Sequence, residues 1–236
     1  MTTEISVCIT SPAPSIILYR ESIICRSLTV SCRQITNAIT TKTGLAHNRL
    51  AINDLSPAGD QPIHSDDGRI HAVVNGEIYD YDRLRDELVR QHGYAFGSRS
   101  DSELVVALYK HYGTPRFLDH IRGEFAFVLY DERTGNVIAV RDRFGVKPLF
   151  WTIVGTGHQR RLLLASEAKA FLAIRWEPEW DVGSIVDGGW QNDDRTLFKG
   201  VKKVLPGHWM MVTPDGSMAH HQFWDIEYKD KVGSNL

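Results

Sequence analysis

The chain has 236 residues, of which 42% are apolar and 24% charged, and its formal net charge is −2. These values are ordinary for a globular protein, and the balanced charge argues against binding to nucleic acid or to an anionic membrane. No apolar run reaches the length of a membrane-spanning helix. We therefore expect neither nucleic acid nor a membrane among its partners.

The first 43 residues differ in composition from the rest. The whole chain contains 19 glycines, yet the first of them is Gly44. The segment is rich in Ser and Thr and has no regular helical or strand period. We predict three parts: a separate segment over residues 1–43, one domain over residues 44–225, and a tail over residues 226–236.

All three cysteines, Cys8, Cys25 and Cys32, lie in the first segment. A secreted disulfide framework would spread its cysteines through the fold, so the pattern favours a reducing compartment and we expect a cytoplasmic protein. The ten histidines show no metal-ligand spacing. The adjacent pair His220 and His221 is interpreted as a solvated strand edge, and we predict no metal.

From Gly44 the elements follow in order. "GLAHNRLAI" predicts a strand, "DLSPAGDQPI" a loop and "RIHAVVNG" a second strand. "YDRLRDELVRQHG" predicts a helix, because Leu84 and Leu88 are one turn apart and Gly93 suits a helix C-terminus.

"SDSELVVALYKHYG" predicts a second helix, with Ser100 and Glu103 at the spacing of a capping box. Three hairpins are expected after it, in "GEFAFVLYDERTGNVIAVRD", in "KPLFWTIV" with "RRLLLASE", and in "HWMMVTPDGSMAHHQFW", with a short helix in "EAKAFLAI". Because the strands follow one another through turns rather than alternating with helices, the sequence predicts an α+β fold.

The segment "HAVVNGEIYDY" contains an Asn-Gly pair between a strand and a helix pattern. We expect Asn75 and Gly76 at a strand-to-helix bend, where the N–H of Gly76 is open to a ligand. That N–H and the Asn75 amide are two neutral donors that could hold the oxygen of a tetrahedral intermediate, with Glu77 beside them. The alternative is a tight turn with Glu77 in solvent.

The segments "GLAHNRLAINDLSPAGDQPI", "VNGEIYDYDRLRDEL", "SDSELVVALYKHYG", "FLDHIRGEFAFVLYDE" and "VRDRFGVKPLFW" occur in order. From about Gly44 to about Trp224 the chain resembles the class II glutamine amidotransferase domain of asparagine synthetases. The resemblance implies an N-terminal-nucleophile hydrolase fold, an α-β-β-α sandwich with largely antiparallel sheets. It also implies hydrolysis of L-glutamine to glutamate and ammonia for making asparagine from aspartate. Amidotransferases acting on sugar phosphates or on phosphoribosyl pyrophosphate fit these segments less well.

The resemblance also implies roles for particular residues. The fork of the Arg49 guanidinium would bind the α-carboxylate of glutamine, and the oxyanion hole would be Asn75 and Gly76. Glu77 and Asp101 would hold the α-ammonium group. The substrate would also be lined by backbone groups of the segment that follows Arg49, namely Leu50, Ala51, Ile52 and Asn53. Without the resemblance, Arg49 would be a surface strand residue and Asp101 a carboxylate at a helix N-terminus.

No catalytic role is implied for "RDRFGVKPL", and Arg141, Asp142 and Lys147 are interpreted as structural pairs near the site.

The nucleophile of the family is a cysteine exposed at the N-terminus by removal of Met and followed by Gly-Ile, but this chain begins "MTTEISVCIT". Three alternatives stay open. Thr2 could act with its own amine as base after removal of Met1, or processing could expose Cys8. The third is that residues 1–43 are not the natural N-terminus.

The chain also lacks the Ser-Gly-Gly-x-Asp-Ser phosphate loop of a synthetase domain. ATP, magnesium and aspartate sites are therefore expected only in such a domain, which would receive the ammonia as a partner, and no cofactor is expected here. The alternative function is a remnant without a nucleophile that binds glutamine or a synthetase partner.

Overall fold

The computed structural model describes residues 5–10, 33–38, 43–49, 54–156, 160–174 and 176–227. Within these residues two antiparallel sheets of six strands each form the body of the protein. The strands of the first sheet are β1 (Ile5–Thr10), β2 (Arg33–Ala38), β3 (Thr43–Arg49), β8 (Phe150–Val154), β9 (Arg161–Ala165) and β10 (Val201–Lys203). Their order across the sheet is β10-β8-β9-β1-β3-β2.

The second sheet contains β4 (Ile63–His64), β5 (Ile70–Ile78), β6 (Gly123–Asp131), β7 (Asn136–Arg141), β11 (His208–Val212) and β12 (Met218–Gln222). Their order is β12-β11-β7-β6-β5-β4. The three predicted hairpins are confirmed as β6 with β7, β8 with β9 and β11 with β12. His220 and His221 are exposed on the edge strand β12, as predicted.

Helices cover the second sheet. They are α1 (Tyr81–His92), α2 (Glu103–Tyr112) and the short α3 (Phe117–His120). The two longer helices occupy the predicted segments: Leu84 and Leu88 are buried, and Gly93 ends α1 with a left-handed φ of 64°. Elsewhere lie α4 (Val182–Asp187), α5 (Gly189–Asn192) and 3-10 helices over Pro57–Gly59 and Ala168–Ile174.

Three clusters of buried apolar side chains separate the layers. One lies between the sheets and contains Leu45, Val73 and Val128. Another lies between the second sheet and its helices and contains Leu108 and Phe127. A small third cluster packs the Ala168–Ile174 helix on the outer face of the first sheet. The layers therefore run helix, sheet, sheet, helix, which confirms the predicted α-β-β-α sandwich.

Two strands lie in the segment whose sequence shows no regular period. β1 pairs with β3 on one side and with β9 on the other, and β2 pairs with β3. Pairing with neighbours that are distant in the sequence supplies the order that a local pattern does not predict. In the part of the chain that the structure describes, no helix is long and apolar enough to cross a membrane.

Candidate functional site

Asn75 and Gly76 lie inside β5, close to its carboxyl end. β6 pairs with all nine residues of β5, from Ile70 opposite Asp131 to Ile78 opposite Gly123. The predicted strand-to-helix bend at Asn75 is therefore wrong, because the long ladder overrides the turn preference of Asn-Gly. The bend comes instead just before α1, where Asp80 has a left-handed φ of 59°.

The outer edge of β5 is covered by a strand for only part of its length. β4 pairs with Ala72 and His71 and goes no further. At Val74, the Gln61 side chain takes the place of a strand partner. The Val74 N–H donates to Gln61 Oε1 at 2.6 Å, and Gln61 Nε2 donates to the Val74 carbonyl at 3.0 Å. At Ile78, the N–H donates to Asp101 Oδ2 at 2.7 Å.

Gly76 occupies the edge position between these two. Peptide groups that face one edge of a strand recur at every second residue, so the groups of Gly76 face the same edge as those of Val74 and Ile78. Phe125, which is opposite Gly76, directs both of its backbone groups at Asp142. The edge thus presents the Gly76 peptide between the Gln61 amide and the Asp101 carboxylate.

Two glycines let β5 and β6 approach closely at this point. Gly76 has φ 132°, and a methyl group on it would come within 1.9 Å of the Glu124 carbonyl oxygen. Gly123 has φ 151°, and a methyl group there would come within 2.1 Å of the Glu77 carbonyl oxygen. Sequence reasoning missed Gly123, although a glycine at the start of an apolar strand is a signal for close backbone approach.

Two acidic residues, Glu77 and Asp101, lie near the outer edge of β5 at Gly76. Asp101 is 6% exposed and lies just before α2. Glu77 is exposed and lies opposite Glu124, whose carboxylate is 3.6 Å from the ammonium of Lys147. The structure therefore brings both predicted ammonium-binding residues to the end of β5. Asp101 bonds to the Ile78 N–H, and Glu77 is the residue before Ile78.

The predicted capping box is wrong. Glu103 accepts hydrogen bonds from the backbone N–H groups of Gly97 and Ser98, both at 2.8 Å, rather than from Ser100. The cap residue of α2 is Ser102. Glu103 is 3% exposed and folds the loop before the helix back on itself, which local spacing does not reveal. That loop carries Asp101.

The loop that begins at Asp54 is tied to the same region. Asp54 Oδ2 accepts from the backbone N–H of Arg99 at 2.9 Å. The end of β3 also lies near, because His47 Nε2 is 3.1 Å from the Val74 carbonyl. Arg49 follows His47 by two residues on that strand. The Arg49 side chain lies outside the described parts of the chain, as do the residues Leu50, Ala51, Ile52, Asn53 and Thr2.

The "RDRFGVKPL" segment forms a loop held by the buried Asp142 and the half-buried Arg141. Asp142 is fully buried and accepts four backbone N–H bonds, at 3.0 to 3.3 Å, from Phe125, Phe144, Val146 and Lys147. Arg141 donates to the carbonyls of Lys147, Gly145 and Val204, and burial lowers the pKa of its guanidinium. Arg141 and Asp142 therefore both bind backbone groups. Lys147, the third residue of the expected structural pairs, forms an ion pair with Glu124.

Within the described residues, no group of three His, Cys, Asp or Glu side chains could hold a metal ion.

The four-layer fold has solved counterparts. The glutamine phosphoribosylpyrophosphate amidotransferase of B. subtilis superposes with a TM-score of 0.55 at 23% identity, over 78% of this chain and 35% of that one. A structure described as the allosteric regulatory enzyme of purine biosynthesis gives a TM-score of 0.56 at 18% identity, over 94% of this chain and 43% of that one. The fold is that of the class II N-terminal-nucleophile glutamine amidotransferases.

The sequence assigns the chain more narrowly. Residues 34–224 match the glutamine amidotransferase domain family, and the chain belongs to it. It is 51% identical to amidase chry2 of Gibberella zeae, over 82% of this chain and 28% of that protein. It is 49% identical to amidase chyE of Penicillium rubens, over 80% and 27%.

It is also 42% identical to glutamine-hydrolyzing asparagine synthetase 2 of Bacillus subtilis, over 74% of this chain and 23% of that protein. The chain spans about a quarter of the length of these relatives. The predicted resemblance to the amidotransferase domain of asparagine synthetases is confirmed.

Proposed function

We propose that this domain binds L-glutamine at the Gly76 edge of β5 and is built to release the side-chain nitrogen of glutamine as ammonia. The observation that carries the proposal is the row of groups on that edge, in which the half-buried Gly76 peptide lies between the Gln61 amide and the buried Asp101 carboxylate. The family of the chain supplies the substrate class.

The ends of glutamine would be held by opposite charges. The Arg49 guanidinium would take the α-carboxylate in a bidentate pair, and Glu77 and Asp101 would take the α-ammonium group. Backbone groups of residues 50–53 would line the chain of the substrate. This arrangement directs the side-chain amide towards Asn75 and Gly76.

Those two residues would stabilise the charge that develops in the reaction. A nucleophile attacks the amide carbon, ammonia leaves, and water then releases glutamate from the acyl-enzyme. The amide oxygen becomes negative during the attack, and the Asn75 amide and the Gly76 N–H would donate to it. Loss of one such donor costs on the order of 100- to 1,000-fold in rate.

Of the candidate attacking groups, Cys8 is the one that lies on a described strand. Cys8 lies in the middle of β1, with Gly44 and Leu163 opposite it on the two neighbouring strands. Cleavage before Cys8 would remove the pairs that Ile5 makes with His47 and Val7 with Leu45. The loss of these strand pairs argues against Cys8 as the attacking group.

The acceptor of the ammonia would lie outside this domain. Asparagine formation from aspartate is the acceptor reaction that the asparagine synthetase relatives suggest, with ATP and magnesium bound by the acceptor domain. The two fungal relatives are named amidases, a name that specifies no acceptor, so an acceptor other than aspartate is the alternative. Incubation of the native full-length protein with aspartate, ATP, magnesium and ¹⁵N-amide glutamine separates the two by the product that carries the label. We propose that the protein is cytoplasmic whichever acceptor it serves.

The first test is the N-terminal peptide of the native protein, measured together with glutamate release from glutamine. A Cys-Gly N-terminus with glutamate release would support the ammonia-releasing function. A Thr2 N-terminus with release that is lost in Thr2→Ala would assign the nucleophile to Thr2. No release from either form would contradict turnover and favour the second candidate, a glutamine-binding domain without catalysis.

Binding is tested separately by thermal stabilisation with glutamine. Glutamine at 100 times its Kd would stabilise the fold by about 2.7 kcal/mol. Arg49→Ala and Asp101→Ala should abolish this stabilisation, whereas Arg90→Ala and Asp86→Ala, which alter an exposed pair on α1, should retain it. Unchanged stabilisation in the first two variants would show that the binding assignment is wrong.

A further inference from the structure

We infer that Gln61 is a positioning residue, which fixes the orientation of the Asn75–Gly76 peptide and so gives the site its preference for a side-chain amide. The inference rests on the proposed glutamine site and extends it to a residue that does not touch the substrate. Gln61 is buried and lies in the loop before β4.

The Gln61 side chain continues the sheet where β4 no longer pairs with β5. Ile63 pairs with Ala72, and two residues back along the loop this register brings Gln61 opposite Val74. At that position the side-chain amide makes both bonds that a strand backbone would make, one to the Val74 N–H and one to the Val74 carbonyl. A primary amide can do this because it carries a donor and an acceptor side by side.

Both peptide groups of the residue that precedes Asn75 are thereby fixed. The Val74 carbonyl belongs to the peptide unit whose N–H is that of Asn75, and it also lies 3.1 Å from His47 Nε2. Rotation of this peptide would turn the next one, which joins Asn75 to Gly76. Gly76 has no side chain to resist such rotation, so the restraint has to come from neighbours.

Gln61 also connects the edge to the segment that carries Asp101. Gln61 Nε2 is 3.5 Å from the Ser102 hydroxyl, at the cap of α2. Asp101, one residue earlier, accepts from the Ile78 N–H. The two sides of the Gly76 peptide are thus held by residues that are themselves linked, which fixes the position of the donor relative to the ammonium-binding carboxylate.

The role of Gln61 can be tested by comparing the binding of two ligands, glutamine and L-norvaline. L-Norvaline has the α-groups and carbon chain of glutamine but lacks the amide, so the ratio of its Kd to that of glutamine measures recognition of the amide alone. Gln61→Met keeps the length of the side chain and loses both bonds to Val74. We expect it to lower this ratio on the order of tenfold, whereas the exposed Gln91→Met should leave the ratio unchanged.

A residue needed only for folding would weaken both ligands equally, and an unchanged ratio in Gln61→Met would therefore overturn the inference. Where Gln61→Met does not fold, Gln61→Asn retains a buried amide that is one methylene too short, and the same criterion applies. Absence of glutamine binding by the native chain would instead contradict the proposed function.

Amide hydrogen exchange decides the positioning without any ligand. We expect Gln61→Met to accelerate exchange on the order of tenfold or more at Val74, which loses its acceptor, and at Asn75, whose N–H belongs to the peptide held through the Val74 carbonyl. Exchange at Val73, whose groups face β6, should not change. Equal acceleration along β5, or none, would overturn the inference even if glutamine binding by the native chain is established.

Discussion

The two ends of β5 differ in how their polar groups are satisfied. At the first end, near His71, side chains bind one another: His64 Nδ1 is 2.7 Å from His71 Nδ1, and His71 Nε2 is 3.0 Å from Glu132. At the other end, Gly76 presents a peptide to the edge between Gln61 and Asp101. Side chains therefore satisfy one another at the His71 end, which we call the closed end, whereas a half-buried backbone peptide lies on the edge at the Gly76 end.

The closed end extends to the neighbouring elements. Asp131 on β6 is 1% exposed at its side chain and accepts from the guanidinium of Arg133 at 2.9 Å and from the Tyr109 hydroxyl at 3.0 Å. Lys110 pairs with Asp66 and Asp67. Burial raises the pKa of Asp131, but the hydrogen bonds from Arg133 and Tyr109 outweigh burial and hold that pKa below its ordinary value. We expect substitutions at the His71 end to change stability without changing glutamine binding, and substitutions at the Gly76 end to change glutamine binding.

The largest effect is expected for Gly76→Ala. The new methyl group would overlap the Glu124 carbonyl, 1.9 Å away, at a φ that side chains rarely adopt. We expect a loss of about 2–5 kcal/mol in the free energy of unfolding, measured in urea, together with loss of glutamine binding. Gly97→Ala is the control, because its methyl group would meet only a side-chain oxygen at 4.0 Å. A stable Gly76→Ala protein would contradict the close packing of β5 and β6.

Asp131→Asn tests the closed end. It leaves Arg133 and Tyr109 facing an amide in a buried position, and we expect a loss of about 2–3 kcal/mol in the free energy of unfolding. Because the lowered pKa stabilises the fold above the ordinary value of 3.8 and this contribution is lost as pH falls through the lowered pKa, the loss should shrink in acid.

Calorimetry of the folded Asp131→Asn protein should give the native Kd for glutamine within about twofold. The exposed Asp86→Asn serves as control for stability. A large change in glutamine affinity would show that the two ends of β5 are coupled.

Asp101→Asn should show the opposite pattern. The asparagine retains an oxygen for the Ile78 N–H, whereas the charge that would face the ammonium group of glutamine is removed. We expect the Kd for glutamine to rise about 10- to 100-fold with a small change in Tm. The exposed Asp119→Asn should change neither quantity. If Asp101→Asn lowers Tm without changing the Kd, Asp101 has a structural role only.

The smallest effect is expected at His64. Burial, and after it the proximity of His71, lowers the pKa of His64 below its ordinary 6.5. The folded state then binds fewer protons than the unfolded state, so stability is full above pH 6.5 and falls as pH drops from there to the lowered pKa. His64→Gln should flatten the fall of the unfolding free energy between pH 7 and 5. His208→Gln is the control, and equal slopes for His64→Gln and the native protein would contradict the assignment.

Much of the architecture could be predicted from the sequence. The buried pair Leu84 and Leu88, with Gly93 after them, defined α1 because these signals act within a few residues. The hairpins follow from turns between apolar runs, and the ordered segments from Gly44 to Trp224 indicated the amidotransferase family. The positions of β1 and β2 could not be predicted, since their order comes from strands far away in the sequence.

At the candidate site, the residue types could be identified from the sequence: an Asn-Gly pair, carboxylates at Glu77 and Asp101, and a loop that contains Gln61. The direction that each backbone group faces depends on strand pairing and could not be predicted from the sequence. Gly76 lies within a strand because β6 pairs with the full length of β5. Gln61 bonds to Val74 because the pairing of β4 with β5 stops at Ala72, two residues before Val74. The partners of the edge peptides lie 13 and 23 positions away in the sequence, at Gln61 and Asp101. Sheet register and loop folding bring them together, and no local pattern in the sequence predicts this.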